Sequence, residues 1–266
     1  MKQLLSIPLI CVSFLLFSCT TEKQLKESMK KVIAEDPSVI ISVIKARPLE
    51  FIEALQEAAR TAQQEMGKQQ EEESKKELES AFEKPLAPKI RVDENIRGPK
   101  DAPIVIVEYS DFECPYCSRG AKTVEELRKK YSTKIQFIYK HLPLDFHSKA
   151  LISAKYYEAI RMQDFEKAWK FHDELFNNQK ELIAQGEAYL KTLAKKIGAD
   201  LNKLATDLNS KQVADRIEED KKEATAFGFQ GTPGFIINGV PLRGAYPISQ
   251  FESIIEELKK RGKIKL

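Results

Sequence analysis

The chain has 266 residues, with 43 lysines and arginines against 40 aspartates and glutamates, giving a formal net charge of +3. That length holds one large domain or two small ones with a real core. The interspersed charges exclude a nucleic-acid partner, and each of the four cysteines has an assignment that leaves no structural disulfide over.

Met1-Lys2-Gln3 gives a positive start, and an apolar run from Leu4 to Phe17, with Pro8 inside it, ends at Ser18-Cys19. The run is short for a bilayer span and reads as a signal peptide over residues 1–18. Leu16-Phe17-Ser18-Cys19 resembles the bacterial lipobox, which predicts cleavage before Cys19, its lipidation and loss of Cys11 with the leader. Several acyl chains on one residue anchor stably to a membrane. Thr20 after that cysteine points to the outer membrane under the familiar enteric sorting rule. The plain alternative is a secretory signal with an incidental cysteine.

Residues 19–84 read as a helical arm. Leu25, Met29, Val32 and Ile33 line a first helix, and Asp36-Pro37 is an N-cap followed by proline at the first helical position. Val39, Ile40, Val43 and Ile44 line a short second helix, which Arg47-Pro48 breaks. A third begins with Leu49, Ile52 and Leu55 and runs into a charged tract that Pro85 and Pro88 end. The apolar faces of residues 25–55 exceed what three short helices hide by themselves. They either pack on the domain behind or pair with another subunit. The charged tract between favours a homo-oligomer formed through residues 22–60.

Residues 85–266 read as an α/β domain. Ile90-Arg91-Val92 is expected as an edge strand, and Ile104 to Val107 as a buried one. Cys114-Pro115-Tyr116-Cys117 then opens a helix in which Val124, Leu127 and Tyr131 recur at helical spacing. Ile135 to Tyr139 is the next strand, so strand, helix, strand implies a parallel pair with a right-handed crossover. A helical insert follows over about residues 147–227, with Gly186 and Gly198 marking loops and Phe165, Trp169, Phe171 and Phe176 expected as its core. Strands return at Gly234–Ile237 and around Val240–Leu242 about the hairpin turn Asn238-Gly239. A final amphipathic helix carries Ile248, Phe251, Ile254, Ile255 and Leu258.

The dithiol carries the chemistry. A cysteine at a helix N-terminus faces unpaired N–H groups and the positive end of the dipole, both of which favour thiolate. Cys114 is therefore the candidate nucleophile, and Cys117, one turn further in, the thiol that resolves a mixed disulfide. Pro115 stiffens the first turn while giving up only an orphan N–H, and Tyr116 presents a bulky amphipathic tip beside the sulfur. Asp111 and Glu113 are expected to face solvent, and His141 and His147 to be turn and capping residues. Structural zinc needs four ligands, and no second cysteine pair exists; His141, His147 and His172 lack ligand spacing.

Glu108, the Cys114–Cys117 quartet, the helical insert and Gly231-Thr232-Pro233-Gly234-Phe235 together resemble the DsbA family of disulfide oxidoreductases over about residues 90–262. The resemblance implies a thioredoxin fold with a helical insertion, here preceded by an all-α arm. It implies that Thr232-Pro233 is a cis-proline loop offering backbone groups to a bound peptide, and that Glu108 is a buried acid relaying a proton to Cys117. For Glu108 an exposed strand-end position is the alternative. It implies no cofactor, cysteine-containing exported proteins as substrates and a membrane redox partner. The quartet with threonine before the proline is similar to the isomerase and reductase branch. Glu35 to Ile44 resembles the oligomerisation segment of ScsC-type isomerases.

The expected function is thus an exported, lipid-anchored thiol–disulfide oxidoreductase of the cell envelope, leaning to isomerase or reductase, with a dithiol oxidase as the alternative. A cytosolic glutaredoxin shares the quartet, but the leader and the insert argue against it. A rival of another class is a surface lipoprotein that binds partners through its arm.

Overall fold

The computed structural model describes residues 22–266. The expectations for the signal peptide and for lipidation at Cys19 lie outside the described residues. Two compact units divide after residue 71.

In the first unit, α1 (Glu22–Glu35) and α2 (Ser38–Ala46) precede α3 (Pro48–Glu83), which runs on into the second unit. Asp36 Oδ1 accepts the Ser38 N–H at 3.0 Å, so the predicted turn before α2 forms as an Asx cap. Pro48 opens α3, where its missing N–H costs nothing. The apolar stripes remain open: Leu25, Met29, Ile40, Val43, Leu49 and Leu55 are all exposed within this unit.

The second unit is built on a five-stranded sheet in the order β1-β3-β2-β4-β5. Its strands are β1 (Ile96–Arg97), β2 (Ile104–Ser110), β3 (Ile135–His141), β4 (Gly234–Ile237) and β5 (Val240–Arg243). β2 and β3 run parallel, joined by α4 (Pro115–Tyr131), and the other pairs are antiparallel. The β4–β5 hairpin turns on Asn238 (φ +46°) and Gly239 (φ +90°), and the Asn238 carboxamide ties it to β2 through Val105 N and Pro103 O. The expected edge strand at residues 90–92 does not form. Arg91 instead docks by charge, its guanidinium reaching Asp220 at 2.6 Å as well as Glu94 and Glu219, and β1 lies five residues later.

The insert consists of α5 (Ala150–Arg161), α6 (Phe165–Asn177), α7 (Gln179–Gln185), α8 (Glu187–Lys196), α9 (Leu201–Asp207) and α10 (Lys211–Ala226). Gly186 (φ +55°) and Gly198 (φ +76°) mark loops between them, as the sequence predicts. Asp164, Asp200 and Ser210 cap α6, α9 and α10 by accepting backbone N–H groups. Trp169, Phe171 and Phe176 are core, but Phe165 is exposed, because it is the first residue of α6 and faces outward.

The C-terminal helix α11 (Ile248–Lys260) packs Phe251, Ile254, Ile255 and Leu258 against the sheet. The last turns of α3 belong to the same core: Ala81 and Phe82 are buried, and Arg261 lies 4.4 Å over the Phe82 ring and pairs with Glu79. The period of two along β2 places Ile104, Ile106 and Glu108 on the face that packs with both cysteines, and Val107 and Tyr109 on the other.

Candidate active site

Every candidate redox residue sits at one end of the central strands. Cys114 is the N-cap of α4, in an extended conformation (φ −71°, ψ 122°), and Pro115 is the first helical residue. The Cys114 carbonyl accepts Cys117 N–H at 3.1 Å and Ser118 N–H at 3.3 Å, which starts the helix. Both thiols are free and buried, Cys114 with 4% of its surface exposed and Cys117 with none. The reactive edge of Cys114 is therefore a small opening. A partner must present its sulfur from one direction.

The peptide bond between Thr232 and Pro233 is cis, and the Thr232 carbonyl oxygen lies 3.5 Å from Cys114 Sγ. The expected proline loop thus faces the dithiol. Its approach depends on Gly120 in the second turn of α4, where a Cβ would stand 3.0 Å from the Phe235 ring and 3.2 Å from Pro233 Cγ. Sequence reasoning missed Gly120, although a glycine inside a helix costs roughly 1 kcal/mol relative to alanine and so invites a packing explanation.

Electrostatics separate the two sulfurs. The Cys114 thiol is pulled down to about 6 by the hydrogen bond from Cys117 and by the Cys117 and Tyr116 N–H groups, against the opposing effect of burial. Cys117 is pushed well above the ordinary thiol value by burial and by donating to Cys114. Asp111 N–H reaches Cys117 Sγ at 3.4 Å. At neutral pH the pair holds one thiolate on Cys114 and one proton on Cys117.

Glu108 is fully buried, on the strand behind the cysteines. Ser110 Oγ donates to its Oε1 at 2.7 Å, and Oε2 has no partner. Burial raises this carboxyl to about 8, with the Ser110 bond opposing and the Cys114 charge adding. Of the two positions left open for Glu108, the buried one is observed.

Asp111 does not face solvent, and Glu113 is half-buried. Asp111 is buried and accepts from Glu113 N–H (2.8 Å), Leu144 N–H (2.9 Å) and His147 Nδ1 (2.7 Å). Glu113 Oε2 accepts Lys149 N–H at the start of α5. The two acids anchor the entry of the insert to the redox turn. His147 is therefore a partner of Asp111, and His141 is buried against Glu158 at 3.0 Å, so neither serves merely as a turn or cap residue. Tyr116 is exposed, with the Arg119 guanidinium 4.5 Å above its ring.

Residues 91–257, more than half of the chain, match the family model described as thioredoxin. The chain belongs to the thioredoxin family. Among solved structures, it is similar to a thioredoxin-like oxidoreductase from Silicibacter pomeroyi DSS-3, at 24% identity over 64% of this chain and 94% of that one, with a TM-score of 0.57. The thiol-disulfide exchange protein alpha-DsbA2 from Wolbachia pipientis aligns at 21% identity over 63% and 88%, with a TM-score of 0.56. These likenesses are ones of fold, and the fold is the DsbA-like thioredoxin fold with a helical insertion. The Na(+)/H(+) antiporter NhaA of Herminiimonas arsenicoxydans is 32% identical over 69% of this chain, which spans only 28% of that protein's length. Among the described residues no helix is long and apolar enough to cross a membrane.

Proposed function

We propose that the chain is a thiol–disulfide oxidoreductase acting on cysteine-containing exported proteins, with isomerisation or reduction as its main direction. The observation that carries this reading is the placement of Cys114. A buried thiol at a helix N-terminus, depressed to about 6, faces a peptide carbonyl on the cis-proline loop, with a protonated second thiol one turn behind. The antiporter activity in the relative's name is not carried over, since the match spans 28% of that protein.

In the reducing direction, the Cys114 thiolate attacks one sulfur of a substrate disulfide. An S–S bond forms to Cys114, and the second substrate sulfur leaves as thiolate. Cys117 then loses its proton and attacks Cys114 Sγ. The chain's disulfide forms, and the substrate is released with both sulfurs reduced. Once Cys114 is held in the mixed disulfide, the thiolate charge that helps keep Glu108 protonated is gone, and the ionised Glu108 carboxylate takes that proton and returns it in the reverse direction. Thr232 supplies the carbonyl, and Pro233, Pro115 and Tyr116 shape the rim that a substrate peptide meets.

The exposed stripes of the first unit support assembly with further copies of the chain through residues 22–60. Several dithiols around one substrate permit repeated attack, which favours isomerisation, and assembly shields each site from an oxidising membrane partner. The leader pattern and Cys19 support an envelope location with a lipid anchor, facing the periplasm or the surface. A dithiol oxidase is the second reading, favoured by the low thiol value at Cys114.

Trapping tests the chemistry. Cys117→Ser protein accumulates a mixed disulfide through Cys114 with a disulfide-bonded peptide, whose other sulfur leaves as thiolate, and Cys114→Ser protein accumulates none. Equal labelling of both variants contradicts the assignment.

A further inference from the structure

The middle of the insert reaches back onto the redox turn. Asn178 (φ −127°, ψ 38°) separates α6 from α7, and four contacts cluster around that break. The Phe176 ring packs on Phe112 at 5.1 Å, and Ser118 Oγ donates to the Phe176 carbonyl at 2.9 Å. Gln179, the first residue of α7, extends its carboxamide between two main-chain carbonyls. Its Nε2 donates to Phe112 O at 2.9 Å and to Cys114 O at 2.8 Å. Both side-chain N–H groups of Gln179 are thereby spent on carbonyls two residues apart, on either side of Glu113. Neither serves the glutamine's own helix.

We propose that Gln179 is a positioning residue for the dithiol: its carboxamide clips the turn of residues 112–114 and holds Cys114 Sγ against the N–H groups that open α4. The importance of this clip for function rests on the thiol–disulfide reading, but its effect belongs to the reduced protein and is measurable without a substrate.

Two physical effects act together. The Cys114 carbonyl oxygen carries partial negative charge close to its own sulfur, and a third donor, added to Cys117 N–H and Ser118 N–H, offsets it. The clip also prevents the peptide before Pro115 from turning Sγ away from the Tyr116 and Cys117 N–H groups. Both favour thiolate. In the exchange of the reduced chain with oxidised glutathione at neutral pH, the pair loses two electrons and the one proton on Cys117, and one glutathione disulfide takes these up with a second proton from solvent to become two thiols. A weaker hold on the thiolate moves that equilibrium toward the chain's disulfide.

The test uses the full chain with Gln179→Met, which keeps the stem without donors, and Gln179→Glu, which sets a carboxylate against two carbonyls. Far-ultraviolet thiolate absorbance is followed against pH, and redox equilibrium is measured against glutathione. The thiolate midpoint rises by roughly half a unit for Gln179→Met and further for Gln179→Glu. The equilibrium shifts about threefold toward disulfide for the methionine variant, the factor that half a unit represents. If Gln179→Glu does not fold, the methionine variant alone decides. An unchanged midpoint and equilibrium in that folded variant overturn the proposal, whatever happens to its melting temperature. Failure of the broader reading looks different: mixed-disulfide trapping is absent while the thiolate titration still responds to Gln179.

Discussion

The two units of this chain carry apolar residues at comparable helical spacing and use them in opposite ways. In the unit from residue 72 onward, Phe112 lies against Tyr139, Tyr157 and Phe176, and the stripe of α11 closes on the sheet. Within the first unit the stripes of α1, α2 and early α3 bury little, and Ile40, Leu49 and Leu55 remain exposed. Burial of an apolar side chain contributes on the order of 2 kcal/mol, so the first arrangement builds a fold and the second leaves a surface to be covered. An amphipathic pattern reports that a face exists. It does not report what meets it.

The largest effect that separates the two units is a core truncation. Phe112→Ala removes a buried ring from the cluster behind Cys114 and destabilises the redox unit by about 3–5 kcal/mol, read from denaturant unfolding. A loss below 1 kcal/mol would show that the cluster contributes little.

A smaller effect is pH-dependent. The folded reduced protein holds a proton on Glu108 up to about 8, whereas the ordinary value is 4.5. The stability that this proton contributes is fully present below 4.5 and is lost as the pH rises through 8. Glu108→Gln escapes that loss, so the variant gains on the wild type across this window, by roughly 2–4 kcal/mol at pH 9. Parallel stability curves for the two proteins would place the charge elsewhere.

The smallest effect on stability falls in the arm. Ile40→Asp changes unfolding of the redox unit by no more than about 0.5 kcal/mol, as exposed substitutions do. The same change dissociates the assembly in sedimentation at micromolar concentration. A wild-type chain that already sediments as a monomer removes the assembly reading altogether.

Much of the site was legible in the sequence because its parts are local. The quartet at the mouth of a helix, the apolar run before it and the Asn238-Gly239 turn each state their geometry within a few residues. Glu108 was marked by the family resemblance with an exposed strand-end position as the alternative, and it is buried because, two residues beyond Ile106, it falls on the face that packs with the cysteines. The rest depends on residues far apart in the chain. Asp111 meets His147 36 residues away, and Gln179 meets Cys114 65 residues away. Neither pairing leaves a spacing to read, so Asp111 was expected in solvent and Gln179 went unnoticed. The strand expected at residues 90–92 fails for a related reason, since two of the three acidic partners of Arg91, Glu219 and Asp220, lie on α10.

The most direct test of the central claim, that chemistry resides in one unit and isomerisation needs the other, is reactivation of a scrambled-disulfide substrate. Residues 19–266 are compared with a chain starting at Glu72, which keeps the Ala81 and Phe82 packing and the Glu77–Arg243 pair. The account predicts that the long chain restores activity to the substrate. The short chain keeps the depressed Cys114 thiol and oxidises reduced substrate, but leaves scrambled material inactive. Equal reactivation by both chains, or by neither, contradicts it.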